Sequence, residues 1–337
     1  MDSITTLSEL LSAANTQYQV YDLGRRVQHI DPMAFHQIEA LQSPYPFPIQ
    51  GHAQFALVFW DGSNQQYIWF LKLPLDERGL LVPAARSQFI QMLLEAMGEN
   101  LTRELSEAQQ QQMANHPFSF KPSQEKLALF NALVRKQLGQ AASVQYEYAC
   151  QYLSGKVAAD NWQHLGLQGL ADICARVNEL DHSALLQQGL NKGATEVQIA
   201  LCQQLEHILL PEPLAETIFQ AFKEAAPEHK VYFLRALASH PGLCQQAITE
   251  LDKQQTLNID ALVAIAARCW LSLKQDECRK IYLEALALQE QSFFNQIFAD
   301  IVAIPGIRTQ VLSELRNPHR SDRLSGAIGG LFRATTE

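Results

Sequence analysis

The sequence predicts an α+β domain with a small antiparallel sheet, followed by an all-α domain of paired helices stacked as a helical-repeat solenoid. Three observations support this fold class. Two runs rich in β-branched and aromatic residues, 53–60 and 67–73, flank the turn residues Asp61 to Asn64. No convincing strand pattern appears after Ser123. Beyond that residue, helix starts recur roughly every 29 to 34 residues, which is the period of paired-helix repeats.

The domain boundary is predicted from composition. Residues 1–115 form the α+β domain around the 53–73 hairpin, and residues 123–337 form the helical domain. The segment between them, 116–122, begins and ends near a proline, and proline continues neither a helix nor a central strand. We therefore predict that 116–122 is a linker.

The elements before the hairpin follow from caps and breakers. Residues 4–14 are predicted as an amphipathic helix with Ser3 as its N-cap, and residues 18–22 and 26–30 as strands. A second helix opens at Asp31 and Pro32, because aspartate caps helices and proline is favoured at the first helical position. Three alternate prolines make 43–49 an extended connector.

Both faces of the predicted hairpin are apolar, whereas a sheet that is wet on one side alternates apolar with polar residues. Phe55, Leu57 and Phe59 share one face of the first strand, and Ala56, Val58 and Trp60 share the other. We expect helices of the same domain on one face. On the other we expect the C-terminal domain, another protein, or a second copy of the chain, which would make a homodimer through the N-terminal sheet.

After the sheet, a helix starting at Pro83 is predicted to bury Phe89, Leu93, Ala96 and Met97 and to end at Gly98. A polar helix over 101–113 follows it. In the C-terminal domain the first helix of each pair is predicted to start near Asp160, Ala194, Glu228, Asn258 and Gln289, and the second near Asp181, Glu212, Pro241, Gln275 and Pro305. A final helix over 322–332 would cap the stack. The alternative is a compact all-α bundle without a true repeat.

Composition bounds the function. The chain has 337 residues and a formal net charge of −9, which argues against nucleic-acid binding because that needs clustered cations. The six cysteines lie mostly in apolar helical patterns and are predicted to be small buried side chains in a reducing compartment. The N-terminus lacks a signal-peptide pattern, and no apolar run is long enough to span a bilayer. We therefore expect a cytoplasmic protein that does not contact a membrane.

No catalytic, cofactor or metal motif is found, so no catalytic residue, cofactor or metal ligand is predicted. The residues predicted to contact a partner fall into three groups. They are the hairpin tryptophans, the charged turn that follows the hairpin, and a basic segment in an otherwise acidic chain: Trp60 and Trp69; Asp76, Glu77 and Arg78; Arg316, Arg320 and Arg323. The alternatives are core packing, an exposed charged turn, and cations near helix termini.

The runs 55–62, 67–81 and 120–127 resemble an uncharacterised family of gammaproteobacterial proteins, a domain of unknown function, and the resemblance spans nearly the whole chain. It implies a bacterial cytoplasmic protein and transfers no activity. The C-terminal half is similar to HEAT-like repeats, which occur in scaffolds and in a few DNA-repair glycosylases.

The first functional hypothesis is a non-catalytic interaction or scaffold protein with an unidentified protein partner. The second is a HEAT-like protein that acts on nucleic acid, or an enzyme of unknown reaction, which would need a basic groove containing an acid and aromatic side chains. Regulation by a small ligand in the N-terminal domain is a third. The mixed charge of the predicted second helices favours the first hypothesis over the second.

Overall fold

A computed structural model describes residues 4–62, 65–97 and 116–336. The chain divides into two compact units, Met1–Pro122 with Ala303–Gly306 and Ser123–Val302 with Ile307–Glu337, and each is described by itself. Several predicted features lie outside the described residues: the Ser3 cap, the hairpin residues 63–64, the helix stop at Gly98 and the polar helix over 101–113.

The first unit contains a four-stranded antiparallel sheet with the order β2-β1-β3-β4. The strands are β1 (Gln17–Asp22), β2 (Gln28–Ile30), β3 (His52–Trp60) and β4 (Gln66–Pro74). The predicted hairpin is confirmed as β3 and β4, which pair along their full length. The strands predicted over 18–22 and 26–30 are also confirmed, although β2 starts two residues later than expected.

Three helices of this unit are described: α1 (Leu7–Ala13), α2 (Pro32–Glu39) and α3 (Pro83–Met97). The first is shorter than predicted, because Thr6 caps it and forms a capping box with Glu9. The predicted start of α2 is confirmed. The Asp31 carboxylate accepts hydrogen bonds from the backbone N–H groups of Met33 and Ala34, at 2.9 and 3.2 Å.

The inner face of the sheet packs into the core of the first unit. Phe55, Leu57 and Phe59 from β3 are fully buried there, and they pack with side chains of α1, α2 and α3. The opposite face is buried at its centre, at Ala56 and Val58. It opens to solvent at Ile68, which is 37% exposed. The expectation that something covers each face of the hairpin is thus met within β3 but not at Ile68, and what covers the second face stays a prediction.

The segment predicted as a linker adds a short edge to the sheet. The Lys72 N–H donates to the Phe118 carbonyl at 2.7 Å, and the Phe120 N–H donates to the Phe70 carbonyl at 3.3 Å. A bridge joins Leu71 to Ser119. Residues 118–120 are therefore held against β4 by backbone hydrogen bonds before the second unit begins.

The second unit is helical, and no strand occurs among its described residues. Its thirteen α-helices are α4 (Gln124–Gln137), α5 (Tyr146–Leu153), α6 (Leu167–Ala175), α7 (His182–Lys192), α8 (Thr195–Leu205), α9 (Glu212–Glu224), α10 (Lys230–Ala236), α11 (Pro241–Lys253), α12 (Ile259–Ala267), α13 (Asp276–Leu286), α14 (Gln291–Val302), α15 (Arg308–Ser313) and α16 (Asp322–Thr336). Nine of the ten predicted starts lie within three residues of a helix start. The exception is Asp160, which lies in a 3-10 segment, Ala159–His164, so that α6 begins only at Leu167.

Helices two places apart in the chain pack against each other. One series runs α4, α6, α8, α10, α12, α14, and the other runs α5, α7, α9, α11, α13. Neighbouring helices join the two series, as in the contacts of α5 with α6 and of α9 with α10. The unit therefore consists of two layers of helices that advance together along the chain.

Glycine permits one close crossing in this unit. A Cβ atom at Gly169 in α6 would lie 2.5 Å from the backbone carbonyl oxygen of Gln145, at the N-terminus of α5. Real Cβ atoms do not approach backbone oxygens this closely, so the α5–α6 contact requires glycine at this position.

Five of the six cysteines are buried, as predicted, and Cys150 is partly exposed. All six are free thiols. Burial raises the pKa of the Cys278 thiol to about 11 and that of Cys174 further still. These groups stay protonated and apolar at neutral pH, which suits their place between helices.

Candidate functional site

Trp60 lies at the end of β3 with its ring partly exposed. Its indole N–H donates to the side-chain oxygen of Gln17 at 3.1 Å. With Gln17, Asn15 and Asp61 it lines an open cleft of about 510 Å³. Trp60 is therefore available for a contact, as predicted for a partner-binding residue, but the contact itself stays a prediction.

Trp69 packs within the first unit. The centre of its ring lies 4.4 Å from the ring centre of Phe59. It lies 5.9 Å from the ring centre of Phe89, in an edge-to-face arrangement. The register pairs Trp69 with Leu57 and Trp60 with Gln66, so the two tryptophans occupy opposite faces of the sheet. The structure does not bring them together into one site, and the core alternative fits Trp69 better.

In the predicted charged turn, Asp76 has a structural role, and the side chains of Glu77 and Arg78 are free of such a role. One carboxylate oxygen of Asp76 accepts hydrogen bonds from the backbone N–H groups of Arg78 and Leu80, at 2.9 and 2.8 Å. Gly79 follows with a φ of +81°, which closes the turn. Asp76 thus holds the backbone, while the side chains of Glu77 and Arg78 are exposed and open to a partner.

The three arginines of the basic C-terminal segment also differ in their contacts. The guanidinium of Arg320 donates to the Ser325 hydroxyl at 3.0 Å and to the carbonyl of Leu315, so it joins the start of α16 to the preceding turn. Arg316 and Arg323 are exposed, and neither forms a hydrogen bond or ion pair within the part of the chain that the structure describes. Of the three arginines predicted in this segment, Arg316 and Arg323 therefore present free cations, whereas Arg320 does not.

One buried group of charges in the second unit was not predicted. Glu206, directly after α8, lies between Arg235 of α10 and Arg268, directly after α12. The Nε atoms of both arginines lie 2.5 Å from separate oxygens of the Glu206 carboxylate. His207 Nε2 lies 3.3 Å from the same group. This arginine–glutamate cluster, Glu206 with Arg235 and Arg268, connects three successive helices of one layer.

At this cluster, burial and the neighbouring positive charges have opposite effects on the pKa of Glu206. The Glu206 side chain is only 2% exposed, and burial alone would raise its pKa. The positive charges of Arg268, His207 and Arg235 outweigh burial and lower the pKa of Glu206 to about 2. The carboxylate is therefore ionised throughout the physiological range.

A second buried network links α5, α6 and α7. Tyr146 Oη lies 2.6 Å from His182 Nε2, and His182 Nδ1 lies 3.0 Å from the Arg176 carbonyl. Because that carbonyl can only accept, His182 carries a proton on Nδ1. Burial raises the pKa of Tyr146 to about 12, so the tyrosine keeps its proton. The network fixes helix ends and offers no ionised base.

A sequence signal for the arginine–glutamate cluster does exist. Arg235 follows Glu206 by 29 residues and Arg268 follows it by 62, which places all three at equivalent ends of alternate helices. The predicted helix period includes these spacings, but it does not show which charged residues at the helix ends meet. Their convergence depends on how the layer packs.

Within the described residues, no group of three or more histidine, cysteine, aspartate or glutamate side chains is placed to hold a metal ion. Of the helices that the structure describes, none is both long and apolar enough to cross a membrane.

Comparison with known proteins identifies one family. A sequence profile described as "Protein of unknown function (DUF3549)" matches residues 2–332. Neither the curated proteins nor the solved structures contain a match.

Proposed function

The chain belongs to the DUF3549 family of proteins of unknown function, and from its geometry we propose that it is a non-catalytic scaffold or adaptor that binds another protein through its helical unit. This proposal includes the finer fold prediction, in which the paired helices form a HEAT-like solenoid.

The observation that carries the proposal is the order of helix packing. Each helix of a layer packs against the helix two places further along, and the main contacts join helices no more than four places apart. A compact bundle would bring early and late helices together around one core. An array that grows in one direction supports the solenoid instead, and such arrays expose long continuous surfaces for partners.

Helix α12 supplies an apolar surface for such a contact. Ile259 and Val263 are 50% and 42% exposed, and residues four apart lie on the same face of a helix. Their neighbours Leu262 and Ile265 are fully buried, so α12 is anchored in the unit while this stripe faces solvent. Burying one such side chain contributes about 1.5–3 kcal/mol, which is a substantial part of a protein–protein affinity.

The experiment compares three forms of the full chain: the natural sequence, Ile259→Asp/Val263→Asp, and Met33→Asp. Met33 is 67% exposed on α2 and provides a control for an added surface charge. A partner captured from a bacterial lysate is purified, and its Kd is measured by calorimetry. We expect the double variant to bind at least about tenfold more weakly, and the control to bind unchanged.

Equal affinity of the double variant and the natural chain would remove α12 from the interface. A gel shift with duplex DNA or RNA at low salt, together with no captured protein, would overturn the proposal in favour of a nucleic-acid-acting protein. The exposed Glu77, Arg78, Arg316 and Arg323 are further partner-contact candidates for the same measurement.

A further inference from the structure

The two arginines of the arginine–glutamate cluster use only part of their hydrogen-bonding capacity. A guanidinium has five N–H donors. Arg235 uses Nε for Glu206, and its two terminal amino groups make no hydrogen bond with the described residues. Arg268 uses Nε for Glu206 and Nη1 for the Ala267 carbonyl at 3.2 Å, which leaves Nη2. The side chains of Arg235 and Arg268 are 24% and 14% exposed, so solvent reaches them.

Another arginine of the same unit, Arg279, provides a comparison. Arg279 is also buried and also pairs with a glutamate, Glu314. All three of its nitrogens are occupied: Nε by Glu314, Nη1 by the carbonyl of Leu273, and Nη2 by Asp276. Every nitrogen of the Arg279 guanidinium therefore has a hydrogen-bond partner. Both terminal nitrogens of Arg235, and Nη2 of Arg268, have none among the described residues.

The cluster also carries excess positive charge. Two guanidinium groups share one carboxylate, so the cluster has a net charge of about +1 even when His207 is neutral. A charge that is mostly removed from water interacts more strongly with a counter-ion than an exposed one. The cluster therefore attracts a second anionic group in addition to Glu206.

The arginines are held in fixed positions. Glu206 binds both Nε atoms at 2.5 Å, and the guanidinium carbon of Arg235 lies 5.9 Å from the centre of the Tyr232 ring. Because both nitrogens contact oxygens of one carboxyl group, the two guanidinium groups are close neighbours. A planar guanidinium whose orientation is already set loses little entropy when it binds an anion.

We propose that Arg235 and Arg268 form a binding site for one oxyanion, a carboxylate or a phosphate group, and that Glu206 is the positioning residue that orients them. Arginine matches both kinds of oxyanion because its paired N–H donors fit two oxygens at once. The terminal amino groups of Arg235 and Nη2 of Arg268 supply the donors. This site does not include the exposed Ile259 and Val263 of α12, and it does not rest on the protein-binding proposal.

The test observes the two arginines directly. The Nε–H groups of the labelled full chain are followed by nuclear magnetic resonance during titration with sodium phosphate or sodium acetate, at constant ionic strength maintained with chloride. We expect the Nε–H resonances of Arg235 and Arg268 to shift and to saturate, with a Kd of roughly 1–10 mM for an isolated small anion. The Nε–H resonance of Arg279 should not move.

Variants test the assignment. Arg235→Lys keeps a positive charge beside Glu206 but removes the paired donors, so it should weaken binding at least about tenfold. Arg279→Lys is the matched control, and it should bind as the natural chain does. Circular dichroism checks that each variant is folded, and the titration of the natural chain decides the matter if Arg235→Lys does not fold.

The two anions distinguish the source of the ligand. Saturation by phosphate alone would assign the site to a phosphate group, and saturation by acetate alone to a carboxylate such as a side chain or a C-terminus. Resonances of Arg235 and Arg268 that stay unmoved by both anions would overturn the proposal. Unweakened binding by Arg235→Lys would overturn it as well.

Discussion

Replacing Glu206 with glutamine tests the physical account of the arginine–glutamate cluster. The change keeps the shape of the side chain but removes its charge, and leaves Arg235 and Arg268 beside each other without a counter-ion. Breaking a buried ion pair by removing one partner typically costs about 3–5 kcal/mol. We therefore expect Glu206→Gln to lower the free energy of unfolding markedly at neutral pH.

The size of this destabilisation also follows from the pKa of the Glu206 carboxyl group. The pKa of Glu206 falls from its ordinary value of 4.5 to about 2 in the folded chain. Each unit of pKa corresponds to about 1.4 kcal/mol, so the ionised form is favoured in the folded state by about 3 kcal/mol. The two routes agree, and both put the cost of Glu206→Gln near 3 kcal/mol.

The same pKa fixes the pH dependence of this contribution. Because the folded-state pKa lies below the unfolded value, the unfolded chain takes up the proton first as the pH falls. The stabilisation is complete above about pH 4.5, declines below it, and is lost near pH 2. The difference between the natural chain and Glu206→Gln should therefore be less than half as large at about pH 3 as at about pH 7.

The assay is urea unfolding followed by far-ultraviolet circular dichroism at both pH values. Glu212→Gln is the control, because the Glu212 side chain is 68% exposed where it faces His240, and an exposed pair contributes at most about 1 kcal/mol. A cost for Glu206→Gln below about 1 kcal/mol at pH 7, or one that does not change with pH, would refute the reasoning.

Three further substitutions are predicted from packing. Gly169→Ala should destabilise by about 2 kcal/mol or more, because its Cβ would lie 2.5 Å from the carbonyl oxygen of Gln145. Gln204→Met should raise the melting temperature, with a gain of about 1–2 kcal/mol, because the Gln204 amide is fully buried and makes no hydrogen bond among the described residues. Trp69→Ala should cost about 3 kcal/mol through lost packing against Phe59 and Phe89. Thermal and urea unfolding measure all three.

Each of these substitutions has a matched control. Gly326 lies within α16 with open space around it. Gly326→Ala should therefore raise the free energy of unfolding by up to about 1 kcal/mol through helix propensity. Gln203→Met, next to the buried amide but partly exposed, should change little. Trp60→Ala should cost less than Trp69→Ala, since Trp60 lines an open cleft whereas Trp69 packs against Phe59 and Phe89. The packing account is wrong if Gly169→Ala behaves like Gly326→Ala, or if Gln204→Met melts below the natural chain.

Local chemistry made several elements predictable. The Asp31–Pro32 pair marked the start of α2, and the β-branched and aromatic runs on either side of the turn at 61–64 marked β3 and β4, because capping and strand propensity act over a few residues. Asn258 likewise marked α12, and its side chain does accept from the backbone of Ala261 at 2.9 Å. The Asp160 start was wrong, because Asp160 lies inside the 3-10 segment Ala159–His164, which Ala158 precedes without a side-chain cap.

The roles of the predicted site residues were less predictable than the helices and strands, because those roles depend on neighbours distant in the chain. Trp69 and Arg320 carry the same side chains as exposed binding residues do, but the fold uses them for packing and for helix-end hydrogen bonds. Asp76 is occupied by its own turn. Trp60, Arg316 and Arg323 remain open to solvent, as their prediction requires.

The sequence alone determined where helices and strands begin and which strands form the hairpin, because these depend on contacts within a few residues. It also determined that the second unit is helical. Only the tertiary structure decided that Glu206, Arg235 and Arg268 meet, since the free energy that joins them comes from the stacking of α8, α10 and α12. The spacings of 29 and 62 residues do not show by themselves which charges converge, so the arginine–glutamate cluster appeared only in the folded chain.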